Sequence, residues 1–169
     1  VIENDARTIL RDGLAYDRCQ VGVVTDMDGA ENLAEFDIQT REQMTKVLRT
    51  QVDVVLDGGA AVLNAADPMV ARMADSCPGQ VTFFACDRNH PVMAMHRARG
   101  KRIIYLDGDA IVACEGSFSE RIALKDIPVT AGGAIGFDFD SLYDAAEETV
   151  PPKVPPRPEW TKKDKLAFE

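Results

Sequence analysis

The sequence predicts an α/β domain: a mostly parallel sheet flanked by helices, with a small antiparallel section after residue 101. Three observations predict it. Short apolar runs at residues 20–25, 60–63 and 81–85 alternate with segments of helical spacing. The helical segments open on start signals, in turn Asp5, the Thr40 and Gln43 pair, Asp67-Pro68 and Pro91. Past Arg102 the pattern changes, and two apolar runs flank Asp107-Gly108-Asp109, a hairpin signal. Strand–helix alternation implies crossover connections and parallel pairing.

Taken in order, Val1-Ile2-Glu3 reads as the end of a strand. Asp5 caps a short helix carrying Ile9 and Leu10 and ending near Gly13. Residues 20–25 form the clearest buried strand, apolar and β-branched, and run into the acidic loop Asp26-Met27-Asp28-Gly29-Ala30-Glu31-Asn32. In the helix opened by Thr40, Met44, Val47, Leu48, Val52 and Val55 recur at helical spacing and should face the sheet. Asp57-Gly58-Gly59 reads as a turn before the strand at 60–63. The Asp67-capped helix should bury Val70 and Met73. Pro78-Gly79 turns the chain into the strand at 81–85, and Gly100 ends the helix opened by Pro91. Residues 103–106 and 110–114 form the hairpin, and residues 122–124 add a third antiparallel strand. Asp138 or Asp140 starts a final helix through Leu142, Tyr143, Ala145 and Ala146. From Val150 the Pro-rich run Val-Pro-Pro-Lys-Val-Pro-Pro-Arg-Pro excludes helix and central strand. The organisation expected is therefore a domain over 1–149 and a basic tail over 150–169.

A chain of 169 residues, 46% hydrophobic, suffices for one packed domain. The net charge is −9; the tail carries +2, which leaves −11 on the rest. Such an acidic surface argues against nucleic-acid and anionic-membrane partners. No apolar run is long enough to span a bilayer. Cys19, Cys77, Cys86 and Cys114 form no CxxC pair, which points to reduced, partly buried thiols and a cytoplasmic protein.

Candidate chemistry starts at the carboxyl end of the strand at 60–63, where ligands bind in open α/β sheets. Asn64 and Asp67 lie there, between strand and helix. The acidic loop offers a second candidate. A strand followed by Asp26-x-Asp28-Gly29 is similar to the opening motif of haloacid-dehalogenase-type phosphatases, with Asp26 as nucleophile and Asp28 as acid/base. The expected Thr is missing, since Ala30-Glu31 follow. A phosphate-binding GxxxxGK[ST] loop is absent: Gly100-Lys101 has Met95 and Arg102 where Gly and Ser/Thr are needed. His90 and His96 read as surface residues.

Several blocks together carry a family resemblance. Tyr16-Asp17-Arg18-Cys19-Gln20-Val21-Gly22-Val23-Val24-Thr25, preceded by Ile9-Leu10-Arg11-Asp12-Gly13-Leu14-Ala15, resembles the central, Mur-ligase-like domain of the cyanophycin synthetases. So do Ala61-Val62-Leu63-Asn64-Ala65-Ala66-Asp67-Pro68 and Pro91 with His96-Arg97-Ala98-Arg99-Gly100. The resemblance runs from about Val1 to about Phe137. It implies the distal part of a Mur-ligase central domain, itself P-loop NTPase-like. It also implies an ATP- and magnesium-dependent ligase that adds arginine to the aspartate side chains of a poly-aspartate primer. An acyl phosphate activates the carboxylate, and cations neutralise the charge that develops.

By the same resemblance, Glu3 matches a magnesium-holding glutamate, and Asn64 an asparagine beside the adenine. Asp67 matches an acid that caps the helix near the nucleotide. Glu31-Asn32-Leu33-Ala34 stands where the family often reads Asp-His-Leu-Gly, so Asn32 takes the place of a metal-binding His. Ser141 stands where a helix Asn is usual, and Lys46 is a loose match to a carboxylated lysine ligand. The family's P-loop and C-terminal ligase domain are not found in these residues. The expectation is a fragment or degraded copy, inactive alone, with the rest of the ligase as its partner and a homo-oligomer left open. The alternative is a non-catalytic remnant or interaction module.

Overall fold

The computed structural model describes residues 1–27 and 33–128. The expected final helix, the tail and Asn32 lie outside the described residues, as does Asp28. Six strands form one sheet in sequential order: β1 (Cys19–Val24), β2 (Val55–Asn64), β3 (Gln80–Ala85), β4 (Ile103–Asp107), β5 (Ala110–Glu115) and β6 (Phe118–Ala123). β1 to β4 pair in parallel, and β4, β5 and β6 are antiparallel. Among the described residues, four α-helices accompany them: α1 (Ala6–Asp12), α2 (Arg41–Asp53), α3 (Pro68–Arg72) and α4 (Pro91–Ala98).

The start signals act as their chemistry requires. The Asp5 carboxylate accepts the Thr8 N–H at 2.7 Å and Gly13 closes α1. Thr40 and Gln43 form a reciprocal capping box: the Gln43 N–H donates to Thr40 Oγ1 at 3.2 Å and the Thr40 N–H to Gln43 Oε1 at 3.0 Å. Asp67 accepts from the Met69 and Val70 N–H groups, with Pro68 in the first turn. The hairpin at Asp107 closes as expected, with Asp107 opposite Ala110.

Register assigns side chains to the two faces of the sheet. Val24, Ala61, Leu63, Phe83, Ile103, Tyr105, Val112 and Cys114 share one face and one core. Met44, Leu48 and Val52 of α2, Val70 of α3 and Met93 of α4 belong to the same core. The approach of α2 is close enough that a Cβ on Gly22 would stand 2.7 Å from the Gln51 carbonyl oxygen. Ala6 and Ile9 of α1 join the same core.

Several expectations are corrected. Val1-Ile2-Glu3 forms no strand; the three residues are exposed and pair with nothing in the ladder. The strand expected at 20–25 forms as Cys19–Val24, but at the sheet edge, where Val21 and Val23 are 57% and 50% exposed. An apolar run reports affinity for a core and not which faces are covered. Val55 begins β2 and does not continue α2, which ends at Asp53. Asp57-Gly58-Gly59 lies inside β2 and is no turn; the β1–β2 register shifts between Cys19 and Val21, and a Cβ on Gly59 would meet the Gln20 carbonyl oxygen at 2.4 Å. The glycine serves close backbone approach. The third antiparallel strand runs earlier than 122–124, as Phe118–Ala123, and Leu124 is buried in the 3-10 turn that follows. His96 is half-buried: its Nε2 lies 2.9 Å from the Val81 carbonyl oxygen, and its ring meets Phe83 edge-on at 4.8 Å.

Candidate functional site

The carboxyl ends of β1 and β2 lie side by side, since Val24 pairs with Leu63. One residue on, each chain leaves the sheet through a polar side chain. Thr25 follows β1, and its hydroxyl donates to Asp26 Oδ2 at 2.7 Å. Asn64 ends β2 and bridges two backbones. Its Nδ2 donates to the Thr25 carbonyl at 2.8 Å, and its Oδ1 accepts the Ala66 N–H at 2.9 Å. The Ala65 N–H donates to the Phe84 carbonyl, so the three strand ends are stitched in a row. Asn64 therefore spends one donor and one acceptor on the scaffold and keeps a second of each.

Asp67 combines two tasks. Its Oδ1 caps α3, at 2.8 Å from the Met69 N–H, while Oδ2 stands 3.2 Å from Arg41 Nη2 at the start of α2. The carboxylate side chain is only 17% exposed and the guanidinium 59%. The pair ties the first turns of α2 and α3 together beside the strand ends.

Glu3 is exposed and borders a concavity of about 820 Å³ along the free edge of β1, which Thr25, Asp26, Arg7, Tyr16 and Gln51 also line. The Asn4 amide donates to the Tyr16 hydroxyl and to Gln51 Oε1, both at 3.4 Å, which holds the amino-terminal residues over this hollow. Arg7, one of its lining residues, pairs with Glu35. Burial pushes the Tyr16 phenol above its ordinary value, a shift that the Asn4 hydrogen bond partly offsets. The backbone N–H of Thr8 holds the Asp5 carboxyl below the usual carboxylate range.

Thr25 is in hydrogen-bond contact with one of the expected site residues, Asn64. Its backbone carries Asn64, its hydroxyl carries Asp26, and it shares a concavity with Glu3. Asp67, three residues after Asn64, caps α3 and does not line the concavity. Lys46, in the interior of α2, has no part in the concavity. Among the described residues no group of three His, Cys, Asp or Glu gathers at metal-binding spacing. The sequence reasoning missed Thr25 and Arg41 as site residues. The signal for Thr25 is its position directly after an apolar strand; for Arg41, nothing in the local pattern marks it. At the end of β3, Arg88 stacks over the Tyr105 ring at 5.5 Å, again without a local sequence signal. The Tyr105 phenol is raised by burial and by its hydrogen bond with Cys114. All four cysteines are free thiols.

Comparison with known proteins decides the relationship. The chain is 42% identical over 139 residues to a cyanophycin synthetase from Synechocystis sp. and 40% identical over 139 residues to one from Crocosphaera subtropica. This chain is homologous to a segment of cyanophycin synthetase. A third cyanophycin synthetase, from Geminocystis herdmanii, is 39% identical over 132 residues. These alignments cover 81%, 81% and 77% of the chain, but only 16%, 16% and 15% of the relatives. The chain thus spans about a sixth of the length of the cyanophycin synthetases it matches. No protein-family model matches it. None of the described helices is long and apolar enough to cross a membrane.

Proposed function

We propose that these residues form one wall of the ATP site of a cyanophycin synthetase, a ligase that joins arginine to aspartate side-chain carboxyls. The observation that carries this reading is that Thr25, at the carboxyl end of parallel strands, is bonded to Asn64 and Asp26 and lines one concavity with Glu3. In this reading an aspartate carboxylate oxygen of the primer attacks the terminal phosphorus of ATP, and ADP leaves with the P–O bond electrons. The arginine α-amine then adds to the acyl carbon, loses a proton, and expels phosphate as the amide forms.

Asn64 holds the ends of β1 and β2 at fixed spacing and offers its remaining donor and acceptor toward the nucleotide. Asp67, neutralised in part by Arg41, fixes the entry of α3. The donor set at β1 suits magnesium: two carboxylates, Glu3 and Asp26, and the Thr25 hydroxyl are hard oxygen ligands, and magnesium takes one or two carboxylates with the rest from water and phosphate. Bound there, the ion would neutralise the charge that builds on the transferring phosphoryl group. The 169 residues hold no GxxxxGK[ST] loop, so the phosphate grip is assigned to other residues of the ligase.

The test is ATP-dependent incorporation of labelled arginine onto a poly-aspartate primer. The longest reading frame encoding these residues is compared with the 169-residue chain. The proposal expects incorporation by the longer polypeptide and none by the chain alone. Turnover by the chain alone, or no incorporation by the longer polypeptide when ATP, primer and arginine are all supplied, overturns it.

A further inference from the structure

One stretch of this acidic chain holds no acid at all. From Arg88 to Leu106 there are five Lys and Arg residues and no Asp or Glu, in a sequence with 28 acidic against 19 basic residues. Elsewhere carboxylates hold Arg7, Arg11, Arg41, Arg49 and Arg121, and Glu115 holds Arg102. Arg88, Arg97, Arg99 and Lys101 are exposed, and among the described residues none of the four forms an ion pair.

The backbone brings three of them together. α4 ends in a reversal at Gly100, whose φ of 71° suits glycine. The Gly100 N–H donates to the Arg97 carbonyl at 2.8 Å and the Lys101 N–H to the His96 carbonyl at 3.2 Å, the pattern of a glycine-closed helix end. Lys101 is thereby folded back onto the last turn of α4, which carries Arg97, and Arg99 lies between them in sequence. The carboxyl end of a helix carries about half a negative charge, too little to balance three cations. Arg88 extends the same field. Against burial, which raises the Tyr105 phenol, the charges of Arg88 and Arg97 both act to lower it, and Arg88 lies 5.5 Å over that ring.

We propose that Arg97, Arg99 and Lys101, with Arg88 beside them, form a docking strip for an acidic peptide segment that presents several neighbouring carboxylates. A guanidinium meets a carboxylate through paired, charge-assisted hydrogen bonds. The reversal fixes the backbone of the strip before a partner arrives, which lowers the ordering cost of binding. A nucleic acid is the weaker occupant. No Phe, Tyr or Trp lies between Arg88 and Arg102 to stack a base, and the acidic remainder of the chain would repel the flanking phosphates. Lys101 leads into the amino end of β4, whereas Thr25 and Asn64 lie at the carboxyl ends of strands parallel to it, so the strip is separate from the candidate nucleotide wall.

Fluorescence anisotropy with a labelled oligoglutamate peptide tests the proposal on the full 169-residue chain. Glutamate keeps the result independent of any site for an aspartate polymer. At neutral pH and low salt the peptide should bind, and the affinity should fall as salt rises past about 0.1 M, where charges are screened beyond about 10 Å. Arg97→Gln, Arg99→Gln and Lys101→Gln should each weaken binding about two- to fivefold, and the three together at least about tenfold. Arg18→Gln and Arg72→Gln, at exposed cations elsewhere, should leave it unchanged. Should the triple variant lose the helical circular dichroism of the unaltered chain, the double variant Arg99→Gln with Lys101→Gln replaces it, since both residues lie past the end of α4. No binding by the unaltered chain overturns the proposal. So does binding that the double variant leaves intact, and so does tighter binding of a single-stranded DNA of equal length, which would assign the strip to nucleic acid.

Discussion

The two faces of this sheet are built from the same residue types and do different work. On the helix side, Ala61, Leu63 and Ile103 are fully buried. On the other side, Val21, Val23 and Ile122 keep 57%, 50% and 43% of their surface. Neighbours along one strand, such as Val23 and Val24, end up on opposite sides of this division. Burial stabilises by roughly 25 cal/mol per Å² removed from water, so only the covered half of each apolar run contributes strongly. What differs is the partner: Met44, Leu48, Val52, Val70 and Met93 all come from helices on one side.

Substitutions that contrast the faces sharpen or break this picture. The largest effect is expected at Leu63→Ala, which removes buried volume between β1, β3 and α2 and should cost about 2–5 kcal/mol in urea unfolding. Gly22→Ala comes next. Its methyl group would press on the Gln51 backbone carbonyl, which cannot rotate away, and overpacking of this kind costs about 1–3 kcal/mol; a lowered Tm in calorimetry reads it.

Asn64→Ala leaves the Thr25 carbonyl and the Ala66 N–H without their side-chain partner and should cost about 1–2 kcal/mol, with amide shifts in NMR spectra confined to 24–27 and 64–67. Asp5→Ala should cost about 1 kcal/mol, and its effect should depend on pH. The folded carboxyl titrates below its unfolded value, so its contribution is complete above the unfolded pKa and disappears as pH falls through the folded one. The difference between the unaltered chain and the variant should therefore be constant from neutral pH to about 5 and shrink below about 4. The smallest effect is expected at Val21→Ala, within about 0.5 kcal/mol. A Val21→Ala cost rivalling that of Leu63→Ala would mean that the open face is covered.

How much of this was legible in the sequence follows from the range of the signals. Caps are local: Asp5, Thr40 with Gln43, and Asp67 with Pro68 each act within three residues, and each marks a helix start in the structure. The hairpin at Asp107-Gly108-Asp109 is equally local. What failed depends on distant neighbours. Val21 and Val23 look like core until their place on the edge strand, on the face away from the described helices, is known. Gly59 looks like part of a turn until the Gln20 carbonyl of β1 and Gly79, just before β3, come within backbone contact of it. Val55 fits the helical period of α2 and also starts a strand, and the sheet wins where Val55 pairs with Cys19 of β1. Asn64 was readable as a strand-end polar residue, but its bridge to Thr25, 39 residues away, was not. Arg41 beside Asp67 was hidden for the same reason.

The most direct test of the account concerns the proposed magnesium donors Glu3, Thr25 and Asp26. Arginine incorporation by the longer polypeptide is measured against magnesium concentration for the unaltered enzyme and for Glu3→Gln and Asp26→Asn. The account predicts a loss of about 10- to 100-fold in apparent magnesium affinity for each variant, with the KM for arginine unchanged. Magnesium dependence identical in all three proteins would contradict it.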